Sequence, residues 1–247
     1  MLSPAPLPGL FITATDTGVG KTLVAGAIAD WFQRQGRRVA VSKPVATGCV
    51  RRREGLVSED AEFLAHCADA RAPLDLICPQ RYREPLAPAI AADRARQPVD
   101  WESIDRSIRL VCQDAEVLIV EGAGGLMVPM DKKHVLIDVV EWLGLPAVIV
   151  ARAGLGTINH TLLSVEALRR RKIPVAGVVI NRYPADQTPV AEETNPRAIE
   201  QWGKVPVLSI VPEDRVARIG EALAPPLPEN VTAAINLVDW SKFLTTE

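Results

Sequence analysis

Aromatic side chains are scarce in this chain, only 4% of 247 residues, so an interior formed by it must be filled with aliphatic groups. The 48% hydrophobic content is enough for one sizeable core of that kind. An excess of one charge sign is also missing. The 28 Lys and Arg residues face 30 Asp and Glu, a formal net charge of −2, which excludes a global attraction to phosphate backbones or anionic lipid. Nucleic acid and membrane are therefore not expected as partners. The four cysteines, Cys49, Cys67, Cys78 and Cys112, include no C-x-x-C pair; this excludes a zinc knuckle or redox motif, and they read as reduced, small apolar residues. No apolar run approaches the roughly 20 residues of a membrane span. The segment Met1–Gly9 has three prolines and no basic stretch, so it does not read as a secretory signal. Internal repeats and low-complexity tracts are lacking too. What remains is the expectation of a cytoplasmic protein forming a single domain over residues 1–247, with 225–247 packed on that same domain.

What the chain does have is alternation. Short runs rich in Val, Ile and Leu alternate with longer segments of helical period, the pattern of a mostly parallel central sheet with helices on both faces, an α/β fold. The runs predict strands at Leu10–Ala14, Arg38–Ser42, Val117–Val120, Ala147–Ala151, Val175–Ile180 and Val207–Ile210. The period predicts helices at Thr22–Gln35, Glu59–Ala68, Trp101–Gln113, Val135–Leu143, Ile158–Lys172 and Pro196–Trp202. Gly36 stands where the first helix should stop, and Asp100 and Thr157 stand where N-caps are wanted. Pro184–Pro189 reads as a loop, and Pro225–Pro228 as a break before a segment ending in Trp240 and Phe243.

The strongest chemical signal lies between the first strand and the first helix: Ala14-Thr15-Asp16-Thr17-Gly18-Val19-Gly20-Lys21-Thr22. It reads as a variant P-loop, with Thr15 where the commonest pattern has glycine. Small residues allow successive N–H groups to point inward, and the helix that follows adds its positive end, so the segment suits a polyphosphate. Lys21 would reach the β and γ phosphates, and the Thr22 hydroxyl would ligate magnesium. Magnesium also wants carboxylates from other strand ends. Glu121, expected to emerge at the sheet edge before Gly122-Ala123-Gly124-Gly125, is the first candidate, and Asp60 at a helix start is a weaker one. Lys43 closes the second strand on the same edge, where an ammonium could stabilise charge during phosphoryl transfer. Gly156-Thr157-Ile158-Asn159-His160 opens a helix whose free amides could hold a carboxylate. No chemistry is assigned to His66, His134 or His160, and the basic runs Arg51–Arg53, in a flexible loop, and Arg169–Lys172 read as solvated surface.

Taken together, Thr15–Thr22, Lys43-Pro44-Val45-Ala46-Thr47-Gly48 and Val120–Gly125 resemble the dethiobiotin synthetase family, and Gly156–His160 and Val179-Ile180-Asn181-Arg182 agree with it. The resemblance runs through roughly the first 215 residues and implies a P-loop NTPase fold. It implies an ATP-dependent cyclo-ligase of biotin biosynthesis that joins carbon dioxide to 7,8-diaminononanoate. Carried over residue by residue, it gives Thr17 and Lys21 to the phosphates along with Thr15, Asp16, Gly18, Val19, Gly20 and Gly124. Thr22, Asp60 and Glu121 go to magnesium, and Lys43 to the carbamate and transferred phosphoryl. Thr47 would lie beside carbamate and diamine, Asn181 at the adenine edge with Pro212 near it, and Gly156, Thr157 and Asn159 at the substrate carboxylate of a homodimer partner. The family P-loop usually opens with glycine where Ala14 stands, a departure that bears on the loop's fine shape. Two other classes share the fold. Partitioning-type switch ATPases carry a lysine early in the loop, where Asp16 stands here, and cobyrinic-acid-type amidoligases continue into a glutaminase domain for which the chain is too short.

Overall fold

The computed structural model describes residues 1–53, 55–184, 189–214 and 227–244. In chain order the strands are β1 (Gly9–Ala14), β2 (Val39–Ser42), β3 (Val45–Ala46), β4 (Val50–Arg52), β5 (Gly55–Val57), β6 (Gln80–Arg81), β7 (Val117–Gly125), β8 (Ala147–Arg152), β9 (Val175–Tyr183) and β10 (Val207–Pro212). The helices are α1 (Lys21–Arg34), α2 (Glu59–Cys67), α3 (Leu74–Ile77), α4 (Pro88–Ala95), α5 (Trp101–Val111), α6 (Leu136–Leu143), α7 (Thr157–Arg170), α8 (Val190–Gly203) and α9 (Glu229–Asn236).

Six strands form one parallel sheet in the order β10-β9-β8-β1-β7-β2, with helices on both faces. Its central runs are apolar at consecutive positions because both faces are covered. Leu10, Phe11 and Ile12 of β1, Leu118, Ile119 and Val120 of β7, and Val148, Ile149 and Val150 of β8 are all fully buried. Outside this sheet, β3 pairs with β6 and β4 with β5. All four cysteines are free and buried, and burial pushes the thiols of Cys67, Cys78 and Cys112 up to about 12.

Several expectations are corrected by the structure. β7 does not stop at Val120 but continues through the glycine run to Gly125. The absence of side chains allows this, since a Cβ on Gly122 would lie 2.8 Å from Leu136 and one on Gly125 would lie 3.1 Å from the Ala14 carbonyl. Thr157 is not the cap of its helix. Gly156 takes that place in the left-handed region, at φ 91°, and Thr157 is the first helical residue, with its side chain turned inward. Pro196 does not open α8 but lies inside it; the helix begins at Val190, whose carbonyl accepts from the Thr194 hydroxyl at 2.9 Å. Arg51 and Arg52 belong to the antiparallel β4–β5 pair rather than to a flexible loop, and Arg52 bonds Glu62 of α2. Asp100 does cap α5, accepting from the Ser103 amide at 3.0 Å, and Gly36 follows α1 at φ 77°. Residues 185–188 of the proline-bearing loop, and Pro225 and Pro226 of the later break, lie outside the described residues. The described C-terminal part packs on β10: Ser209 Oγ donates to the Ala234 carbonyl at 2.9 Å, and Trp240 is fully buried with its Nε1 on the Ile235 carbonyl at 3.0 Å. No described helix is long and apolar enough to cross a membrane.

Candidate active site

Sheet register assembles the site. Ser42 of β2 lies opposite Val120 of β7, so the residues that follow, Lys43 and Glu121, are neighbours at the C-terminal edge. Ile12 of β1 lies opposite Glu121 on the other side, and the chain leaving β1 forms the loop that feeds α1. Open α/β sheets bind ligands at this edge.

The loop is held from several directions. The Thr15 amide donates to the Val150 carbonyl at 3.0 Å. Asp16 accepts from the Thr17 amide at 2.7 Å, and its other oxygen lies 3.2 Å from the Arg152 guanidinium. Gly18 and Gly20 have φ of 73° and 90°, values that any side chain would strain. Ala14 is extended, in register with Val150 and Gly125, so the loop needs no glycine there.

Glu121 is the hub. Its side chain is wholly buried rather than emerging at the edge, and its Oε1 takes the Thr22 hydroxyl at 2.8 Å and the Lys43 ammonium at 2.6 Å, with Lys21 Nζ at 3.7 Å. Lys43 Nζ also reaches Asp60 Oδ2 at 2.8 Å and the Gly122 carbonyl at 3.4 Å. Glu121 Oε2 is buried without a partner. Burial disfavours the Lys43 ammonium, but the Asp60 and Glu121 carboxylates outweigh it and raise its pKa. Burial and the neighbouring Lys43 charge together lower Lys21. Asp60 is pushed up by burial and pulled further down by Lys43, with a net lowering. Two cations and two carboxylates therefore meet at one point, three of them buried and Asp60 at its solvent side, from which a ligand can draw either sign.

A cavity of about 480 Å³ opens over this hub. Thr17, Gly18, Gly20, Lys21, Thr22, Lys43, Thr47, Asp60 and Gly124 all line it. So do Pro85, Leu86, Ala87, Pro88 and Arg182, which sequence reasoning missed; the Pro-x-x-Pro spacing was the available signal for the wall at 85–88. The other candidates lie elsewhere. Thr15 and Asp16, with Thr17, line a second cavity of about 400 Å³ against Met127, His160 and Leu163. Val19 is buried behind the loop. Asn181, at 1% exposure, donates from Nδ2 to the Val19 carbonyl at 2.8 Å, and Pro212 ends β10 in register with Tyr183. Gly156, Thr157 and Asn159 line neither cavity: Gly156 and Asn159 are exposed, and the Thr157 hydroxyl is buried without a partner. His134 is engaged with Asp131, away from the hub.

The donors at the hub fit magnesium. Among the described residues no three His, Cys, Asp or Glu side chains converge on one point, as a dedicated protein cage would require. Magnesium instead takes one or two carboxylates and relies on waters and phosphates for the rest. Thr22, Asp60 and Glu121, with its unpartnered oxygen, match that demand.

The model of a family described as an AAA domain matches residues 8–218. An ATP-dependent dethiobiotin synthetase from Thermodesulfovibrio yellowstonii is 40% identical over 83% of this chain and 88% of its own length. One from Anaeromyxobacter dehalogenans is 41% identical over 87% and 95%, and one from Haloferax mediterranei 39% identical over 86% and 90%. Among solved structures, the septum site-determining protein MinD of Pyrococcus horikoshii, complexed with Mg-ADP, matches with a TM-score of 0.57 over 94% of this chain and 93% of that one. A ParA family ATPase from Chlorobium tepidum matches with a TM-score of 0.52 over 97% and 99%. At 16% and 17% identity these likenesses speak for the fold alone. With a P-loop fold, two lysines and two carboxylates gathered at the C-terminal edge of its sheet, and relatives of about 40% identity along most of its length, the chain belongs to the dethiobiotin synthetase family.

Proposed function

We propose that the 480 Å³ cavity binds the phosphates of ATP and that the chain closes the ureido ring of dethiobiotin from 7,8-diaminononanoate and carbon dioxide. One substrate amine attacks carbon dioxide and loses a proton, leaving a carbamate. A carbamate oxygen attacks the γ phosphorus and ADP departs. The second amine then attacks the carbamate carbon, gives up a proton, expels phosphate and closes the ring.

The observation that carries this reading is the second lysine. A nucleotide site needs Lys21 and the loop amides; Lys43 adds a buried ammonium on the neighbouring strand, beside the same Glu121, lining the same cavity. There it would offset negative charge on the acceptor and on the phosphoryl in flight. Thr17, Gly18, Gly20 and Lys21 would bind the phosphates, with Thr15, Asp16, Val19 and Gly124 shaping the loop, and Thr47 would face carbamate and diamine. Asn181 and Pro212 would meet the adenine. Thr22, Asp60 and Glu121 would hold magnesium, which would supply positive charge against the phosphates.

The reading includes a homodimer. Within one chain the helix start at Gly156–Asn159 does not line the cavity, while Met127 at 67% and Leu163 at 61% exposure line the second cavity and Leu155, just before the helix start, is 89% exposed. A second copy set against this apolar surface would bring its helix start to the substrate carboxylate. Packing of the described C-terminal residues on β10 supports one domain, and the reading places the chain in the cytoplasm without nucleic-acid or membrane partners. The test is incubation with ATP, magnesium, bicarbonate and diaminononanoate, followed by mass spectrometry. Dethiobiotin formed in step with ADP is expected. ATP hydrolysis without dethiobiotin would overturn the reading in favour of a switch ATPase.

A further inference from the structure

We infer that Asn181 is a positioning residue that aims a P-loop amide at the phosphates, a role distinct from any contact with the nucleotide base. The inference rests on the reading of the loop as a phosphate site. Asn181 ends the buried part of β9, in register with Arg152 of β8, and is 1% exposed. Its Nδ2 donates to the Val19 carbonyl at 2.8 Å and lies 3.5 Å from the Gly20 carbonyl, across 162 residues of sequence. The amide can sit only this way round, since the flipped form would press its oxygen against two carbonyl oxygens.

The consequence follows from peptide geometry. In a trans peptide the C=O and the next N–H point in opposite directions. Holding the Val19 carbonyl outward on Asn181 therefore turns the Gly20 N–H toward the concave side of the loop, where a phosphate oxygen would accept it. Gly20 is matched to the clamp. Its φ is 90°, and a Cβ there would overlap Asn181 Nδ2. The Gly20 carbonyl is already engaged by the Val24 amide at 3.3 Å, so the Val19 carbonyl is the group left for the clamp to orient.

A base-free ligand separates this role from base recognition. Calorimetry would compare ATP with inorganic tripolyphosphate, both with magnesium, for the wild type, Asn181→Ala and the isosteric Asn181→Asp, which keeps the volume but sets an acceptor against the carbonyl. Both variants are expected to lose affinity for tripolyphosphate by about tenfold, the scale of one buried hydrogen bond, and for ATP by at least that factor. Melting temperature is recorded alongside as a control for the fold. ATP affinity falling while tripolyphosphate affinity is kept would assign Asn181 to the base and overturn the clamp, as would no change in either. In the wild type, the Gly20 amide resonance should move on adding tripolyphosphate; an unmoved resonance also overturns it. Neither result bears on whether the wild type forms dethiobiotin, so failure of the clamp and failure of the ligase reading remain separable.

Discussion

Two knots of charged and polar side chains, one around Glu121 and one around Asp131, are built on opposite plans. Asp131 finds its partners close by: the amides of Lys133 and His134 at 2.7 and 2.8 Å, the His134 ring at 2.9 Å, and Trp101 Nε1 at 2.6 Å. The rings of Trp101, His134 and Trp142 pack edge to face around it. Burial pushes the Asp131 carboxyl up, but these donors more than reverse it and bring it down to about 2. Both of its oxygens are engaged, and the result is a staple for the turn between β7 and α6. Glu121 instead draws on Thr22 and Lys43 from distances of 99 and 78 residues, and one of its oxygens stays buried and bare. Desolvated charges with unfilled bonding capacity do not minimise the energy of the free protein. A knot of the first kind completes itself; the second keeps one buried oxygen without a partner.

Substitution should break the two knots in different observables. The largest effect is expected from Lys21→Ala, which removes the proposed phosphate contact and little packing: ring closure should be abolished while the circular dichroism spectrum and melting behaviour stay near wild type. Near-normal turnover would remove the loop from the mechanism. Lys43→Gln should follow, with turnover down by about two orders of magnitude at nearly unchanged nucleotide affinity, the scale of losing one preorganised charge-stabilising group. Lys43→Arg should rescue only in part, because a planar fork does not replace a compact ammonium. If nucleotide affinity and turnover fall together, Lys43 serves binding and the acceptor lies elsewhere.

Smaller again is the shift in magnesium requirement. Glu121→Gln should raise it more than Asp60→Asn, because Glu121 is wholly buried while the Asp60 side chain is 39% exposed and open to solvent. Magnesium titrations of the two variants decide the order. The smallest effect on turnover is expected at the other knot, where Asp131→Asn should leave catalysis intact and cost about 2 kcal/mol of stability. The sign follows from the folded carboxyl titrating at about 2 against the ordinary 3.8. Its contribution is present above pH 4 and lost as the pH falls toward 2, so urea midpoints of variant and wild type should converge across that window. Lost turnover at full stability would mean that the two knots are not separate in function.

How much of this was legible follows the range of the interactions. The six long strands, α1 and the P-loop could be read because aliphatic runs, helical period and the order of small residues are local properties of the chain. The short pieces, β3, β6 and α3, were not, since two to four residues carry no period and form only where neighbours supply the bonds. Gly156 took the cap expected of Thr157 because the backbone turns left-handed there, and Thr157, with its side chain buried, is the first helical residue.

What the sequence alone determined was which residues to consider for the site: Lys21 and Thr22 by motif, Lys43 and Glu121 as the residues that follow two apolar strands. Only the tertiary structure decided what those residues are to one another. Parallel register sets Ser42 opposite Val120 and so Lys43 beside Glu121, the small residues Gly122, Ala123, Gly124 and Gly125 carry β7 past a buried Glu121, and α2 brings Asp60 within 2.8 Å of the Lys43 ammonium. Asn181 is the clearest case. As a residue at the end of a strand it could serve anything at the sheet edge, and its bond to the Val19 carbonyl exists because β9 lies two strands from β1 in the folded sheet. Spacing along the chain encodes the periodic elements, while contacts between residues a hundred or more positions apart depend on burial of the whole sheet, which no local pattern records.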